Sequence, residues 1–320
     1  MTANHSYTEP GTYTVTLTVT DDRGADGTDT AVVTVAEPPS DGTWPKGLGG
    51  MDGDFGQAVG VDSSGNVIAV GRFSGTANFG GSTLTSNGSS DLYVAKYSSA
   101  GAHLWSRHFG GSGSEVVQDV AVDSNGNITV TGYFTGTTNL GTGSLSSAGS
   151  IDIFVARYSS GGTALWAKRF GASSDDVGYG VAVDETGDVY LTGFFTGTVS
   201  FGGAALTSAS GGYDCFVAKF SASSGTHAWS KRFLNNSGDV GYSLAAKNGS
   251  LLLTGSFMGL IDFGGGTLTS AGVNDVFLTK LSTQDGSHQW SKRFGGASDD
   301  IAYDVAVDGS GNAAITGFFS

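Results

Sequence analysis

The feature that most restricts what this chain can fold into is its self-similarity. Tryptophans stand at Trp44, Trp105, Trp166, Trp229 and Trp290, separated by 61, 61, 63 and 61 residues. Gly71, Gly132, Gly193, Gly255 and Gly317 keep the same step, each followed two residues later by Phe73, Phe134, Phe195, Phe257 or Phe319. A period of this length marks a supersecondary unit that buries its apolar face by stacking on the next copy.

Residues 116–171 serve as the type unit, and four strands are legible in it. A plain first strand runs around Val120–Val122. It turns through Asp123-Ser-Asn-Gly126-Asn127, where Asp, Asn and Gly supply hairpin conformations, into a second strand, Ile128–Phe134. The third, Asp152–Tyr158, is apolar on both faces, as a sheet clamped between two neighbours must be. The fourth, Leu165–Phe170, is outermost, and its Lys168 and Arg169 guard an edge that would otherwise recruit other strands. The 54 glycines against 4 prolines fit a chain of many tight turns. The expected fold is therefore all-β, a β-propeller of four-stranded antiparallel blades at about 55–110, 116–171, 177–234 and 239–295, with a partial one at 300–320. Closure into five blades through the strand holding Trp44 would leave a composite blade without its third strand, so a truncated ring is the expectation.

Charge and composition exclude several partners. Fifteen Lys plus Arg against 29 Asp plus Glu give a net charge of −14, which repels a phosphate backbone, so no nucleic acid is expected. No apolar run approaches the roughly 20 residues of a membrane span. Residues at the N-terminus do not read as a signal peptide. Cys215 is the single cysteine, which rules out an internal disulfide.

The front of the chain follows another pattern. Tyr13-Thr-Val-Thr-Leu-Thr-Val19 alternates apolar residues with threonine, and Asp21-Asp-Arg-Gly24 turns into a strand ending at Val35. With His5, Tyr7, Pro10, Gly11, Tyr13 and Asp21 in place, residues 1–36 resemble the C-terminal part of a PKD domain, a β-hairpin remnant of an Ig-like sandwich. Two strands alone are marginal. Residues 37–43, rich in Pro, Ser and Gly, read as a linker to the repeats at 44–320. Those repeats, each closing as in Trp105-Ser-Arg-His-Phe109-Gly110, resemble the SBBP β-propeller repeat family. The resemblance implies a ring of about seven blades and a bacterial, extracellular or cell-surface setting.

Candidate site residues fall into sets that keep step with the repeat. Asp91, Asp152, Asp214 and Asp275 open the third strands, where a carboxylate accepts backbone N–H groups or pairs with a basic neighbour. Asp54, Glu115, Asp176, Asp239 and Asp300 precede the innermost strands and are candidates for a ring of charge at one mouth of the channel, able to hold Ca²⁺ or attract a cationic partner. Plain surface solvation is the simpler account, and no other cofactor is expected. His103, His227 and His288 precede the repeat tryptophans, but Ala164 takes that place in the second unit, so no catalytic role is assigned. Cys215 aligns with Leu92, Ile153 and Val276 and reads as a small core residue. No acid or histidine cluster breaking the repeat toward the channel is evident.

The functional expectation is a non-catalytic extracellular scaffold or binding module, with a protein or polysaccharide ligand, forming a monomeric segment of a larger secreted or surface protein. The alternative is an accessory segment of a secreted hydrolase whose catalytic domain lies elsewhere.

Overall fold

A computed structural model describes residues 47–209, 212–233 and 238–320, together with the backbone of two strands near the N-terminus. The chain divides into two compact units, one of which holds Met1–Gly47 and the other Leu48–Ser99 and His103–Ser320. In the first, strands Gly11–Thr20 and Asp26–Val35 pair antiparallel, Gly11 opposite Val35 and Thr20 opposite Asp26. His5, Tyr7, Pro10, Asp21, the 37–43 linker and Trp44 lie outside the described residues.

The second unit is built of blades. Blade 2 consists of Glu115–Val122, Ile128–Phe134, Asp152–Tyr158 and Ala164–Phe170, paired in that order and all antiparallel. Blades 1, 3 and 4 repeat it, and Asp300–Val307 with Ala313–Phe319 form a two-stranded half-blade. First strands of successive blades lie side by side in chain order, the arrangement of a propeller. Between the second and third strands each complete blade sends out a short excursion, such as Thr137–Asn139 paired with Ser144–Ser146.

Packing is between blades, which explains why the third strands are apolar on both faces. Ile68, Val70, Leu92 and Val94 of blade 1 share a core with Val117, Val120, Val130 and Phe154 of blade 2. Ile153 and Val155, on the other face of that same third strand, join Val181, Leu191 and Phe216 of blade 3. Cys215 belongs to the next such layer, fully buried with Tyr190, Leu253 and Phe277, and burial raises its thiol well above the ordinary range.

The repeated residues fasten these layers. The indole N–H groups of Trp105, Trp166 and Trp229 donate to the carbonyls of Ser160, Ala222 and Thr283, each in the turn between third and fourth strands of the following blade. The turn after the first strand is an Asx turn: Asp123 Oδ1 accepts the N–H groups of Asn125 and Asn127, both at 2.8 Å, while Gly126 takes a positive φ of 75°. Its other oxygen lies 2.5 Å from the Arg157 guanidinium of the third strand, and both side chains are buried. Lys96 and Asp62 make the equivalent pair in blade 1 at 2.8 Å. Blade 4 replaces the Asx turn with Asn248 and Gly249, whose φ values of 49° and 72° suit a two-residue hairpin turn.

Candidate functional site

Each first strand carries one irregularity, and all five fall at the same repeat position. In blade 2, Val117 pairs with Gly132 and Asp119 with Thr131, so Gln118 is an extra residue, a β-bulge. Gln57, Tyr179, Tyr242 and Tyr303 are the extra residues in blades 1, 3, 4 and the half-blade. A bulge re-aims a side chain out of the alternation that pairing imposes. Here all five line a single central cavity of about 600 Å³, together with Ala58, Val59, Asp119, Ser243 and Asp304.

The tyrosines form one wall. Tyr179 and Tyr242 have ring centroids 5.1 Å apart, and Tyr242 meets Tyr303 edge to face at 5.6 Å. Behind them Phe194 lies 6.0 Å from Tyr179 and 4.9 Å from Tyr213. Polar groups complete the lining. Gln57 donates to Gln118 across 3.5 Å. Asp119 accepts the N–H of Val181 in the next blade at 2.8 Å, and Ser243 donates its hydroxyl to Asp304 at 2.7 Å. Burial pushes the Asp119 carboxyl up to about 7 against the pull of the Val181 and Val120 N–H groups, and the charge of Asp304 adds to the rise. Asp119 and Asp304 therefore sense one another on the same cavity. The sequence predicts no acid or histidine cluster on the channel; the structure places two carboxyls there, Asp119 and Asp304, each one residue after a bulge.

The five acids at the starts of the first strands lie elsewhere: none lines the cavity. Glu115, Asp176, Asp239 and Asp300 are buried. Asp176 accepts the Ala172 N–H at 2.9 Å, Asp300 that of Gly296 at 2.7 Å, and Asp54 that of Gly50 at 2.5 Å. They cap the link from one blade to the next, where the third-strand aspartates meet them. A Cβ on Gly171, whose φ is +147°, would stand 2.6 Å from the Asp152 carboxyl carbon and 2.9 Å from Asp176 Oδ2. Two carboxylates thus close on the glycine that ends each Phe-Gly pair. Burial pushes Glu115 up to about 7, with Asp91 adding to it, and pushes Asp176 up to about 6. Both carboxyls hold their protons to a higher pH than ordinary ones; among the described residues no group of three or more His, Cys, Asp or Glu is placed to hold a metal ion.

The third-strand set has its own partners. Asp152 and Asp275 accept the N–H groups of Ala148 and Ala271 at 2.8 Å, and Asp214 that of Ala209 at 3.1 Å. Arg169, Arg232 and Arg293 of the fourth strands reach Asp152, Asp214 and Asp275, while His108 lies 3.1 Å from Asp91. Gly71, Gly132, Gly193 and Gly255 stand opposite Tyr93, Phe154, Phe216 and Phe277 on the neighbouring strand. A Cβ on Gly132 would lie 1.9 Å from the Val116 carbonyl oxygen, and one on Gly317 2.0 Å from that of Ile301. Close approach of backbone to backbone therefore demands glycine there.

Comparison with known proteins supplies the context. A PKD domain model matches residues 1–35, and a beta-propeller repeat model, SBBP, matches residues 165–193 and 289–317. An uncharacterised WD repeat-containing protein of Acanthamoeba polyphaga mimivirus is 28% identical over 158 residues, which is 43% of this chain and 11% of that protein. Regulatory protein FlaEY of Caulobacter vibrioides is 28% identical over 137 residues, 42% of this chain and 14% of its own length. The chain thus matches only a small part of either relative. The WD40 domain of Neurospora crassa Pan2 aligns over 82% of this chain and 86% of its own at 9% identity and a TM-score of 0.33, too distant to bear on blade number or ligand. With four complete blades in place, the chain is a β-propeller in which residues 165–193, from blade 2 into blade 3, and 289–317, from blade 4 into the half-blade, match the SBBP beta-propeller repeat, and residues 1–35 match a PKD domain.

Proposed function

We propose that this chain is a non-catalytic binding module that takes a neutral oligosaccharide in its central cavity, and that it works extracellularly as part of a larger bacterial secreted or surface protein. The observation that carries this reading is the tyrosine wall at the bulge positions. Rings presented to a cavity by an extra residue are not needed for blade packing, and they offer apolar faces to the C–H surfaces of a sugar ring. Gln57, Gln118, Asp119 and Asp304 supply acceptors and donors for hydroxyls at the same cavity. Among the cavity-lining residues there is no histidine, cysteine or lysine, and the two carboxyls are taken up by the N–H groups of Val120, Val181 and Val305 and the hydroxyl of Ser243. The net charge of −14 disfavours acidic glycans.

Calorimetric titration of the chain with a panel of neutral oligosaccharides and uncharged peptides tests it. Saturable binding of at least one oligosaccharide is expected, weakened at least about ten-fold by Tyr242→Ala, a loss of roughly 1.4 kcal/mol. Binding left untouched by that substitution, or binding of the peptides alone, would sink the reading.

A further inference from the structure

The aromatic wall does not stop at the cavity. In blade 3 the strands Val177–Val183, Val189–Thr196 and Tyr213–Phe220 pair in that order outward from the channel, and they carry Tyr179, Phe194 and Tyr213 in turn. Because the strands are antiparallel, the start of the first, the end of the second and the start of the third fall at one end of the blade. The rings follow that line: centroids are 5.1 Å apart from Tyr242 to Tyr179, 6.0 Å from Tyr179 to Phe194 and 4.9 Å from Phe194 to Tyr213. Tyr242 and Tyr179 line the cavity, whereas Phe194 and Tyr213 lie outside its lining. An aromatic track thus leads from the channel across one end of blade 3.

The repeat itself shows that blade packing does not require this track. The same three positions hold Gln57, Arg72 and Ser90 in blade 1, Gln118, Tyr133 and Ile151 in blade 2, and Tyr242, Ser256 and Asn274 in blade 4. Among the complete blades, blade 3 alone is aromatic at all three. Its outermost ring is held without being covered. A Cβ on Gly238, in the link to blade 4, would stand 2.6 Å from Tyr213 Cζ, so the ring rests on glycine backbone, yet Tyr213 is 42% exposed. A ring fixed between backbone and a neighbouring ring loses little freedom when a ligand covers it.

We propose that Tyr213 determines specificity for ligand length: the ligand is a linear neutral oligosaccharide that leaves the cavity past Tyr242 and Tyr179, crosses Phe194 and makes its last contact on Tyr213. This rests on the oligosaccharide reading of the cavity and adds to it a direction and a minimum length. Each step between rings is close to the length of one sugar residue, so a disaccharide seated against Tyr242 falls short of Tyr213 and a longer chain reaches it. The apolar face of Tyr213 then covers the C–H surface of a sugar that the cavity cannot hold.

The probes are size series of cello-, xylo- and malto-oligosaccharides, from disaccharide to hexasaccharide, titrated calorimetrically into the full chain. In a series that binds, the hexasaccharide should bind about ten-fold more tightly than the disaccharide. Tyr213→Ala should cut that ratio at least about five-fold, and Tyr213→Phe, which keeps the ring, should preserve it. Tyr213→Ala that leaves the ratio unchanged, whether by weakening short and long chains alike or by weakening neither, overturns the inference while the cavity reading stands. Equal affinity of the parent chain for disaccharide and hexasaccharide does the same. Absence of binding by every member of the three series removes both.

Discussion

Single side chains in this propeller pull its stability in opposite pH directions. Glu115, with an ordinary value of 4.5, is pushed up to about 7 in the fold by burial. A group bound more tightly to its proton when folded stabilises fully below its unfolded value, and that contribution is lost as pH rises through the folded one. Asp62 is the reverse case. Burial alone would raise it, but hydrogen bonds from Lys96, Asn66 and Ser64 hold it well below its ordinary 3.8, so its contribution is present above that value and lost in stronger acid. The melting temperature should therefore peak in mildly acidic solution and fall toward pH 8. Glu115→Gln should remove part of the upper limb, melting about 2–4 °C above the parent near pH 8 and level with it near pH 4.5. Parallel profiles for the two proteins would show that this carboxyl is not the source.

At the scale of the strand, Trp105, Trp166 and Trp229 act as fasteners from each blade to the next, and Trp290 has no equivalent acceptor among the described residues. Trp229 donates to Thr283 at 3.3 Å, while no following third-to-fourth turn is present among the described residues for Trp290 to reach. Both indoles are half-buried. Trp229→Phe should cost about 0.5–1.5 kcal/mol more than Trp290→Phe, the net worth of one hydrogen bond, as read from denaturant midpoints. Equal losses would reduce the indole to a packing group. These elements were legible in the sequence because they recur: Trp, Gly and the strand-opening aspartates do the same mechanical task in each copy, so repetition exposes them. The bulge residues hid for the opposite reason. An extra residue leaves no mark on a run such as Glu115-Val-Val-Gln-Asp-Val120, and the position holds Gln57, Gln118, Tyr179, Tyr242 and Tyr303 in turn. The available signal was that variation itself, one changing place inside a constant frame. The acids before the first strands were visible as a set, but sequence spacing does not distinguish a carboxyl at a channel mouth from one buried at a blade junction.

Across the whole molecule the blades are not equivalent. Blades 2 and 3 are covered on both faces, whereas the half-blade exposes Tyr303, Phe318 and Phe319, and blade 1 exposes Phe55, Val59 and Val61. In a stacked array each unit is held by its own sheet and its nearest neighbours, so units short of a neighbour open first. Native-state hydrogen exchange should show amides of 301–319 exchanging fastest within the propeller and those of 128–134 and 189–195 slowest. Uniform protection from blade 1 to the half-blade would mean that the array melts as one cooperative body.

The bulge carries a consequence for how such a protein acquires a new specificity. Because the extra residue takes no place in the ladder, its side chain is free of the demands that fix its neighbours, and the five bulge positions behave as a keyboard mounted on an indifferent frame. On the proposed reading of the cavity, exchanging keys rewrites recognition while the sheets beneath keep their shape.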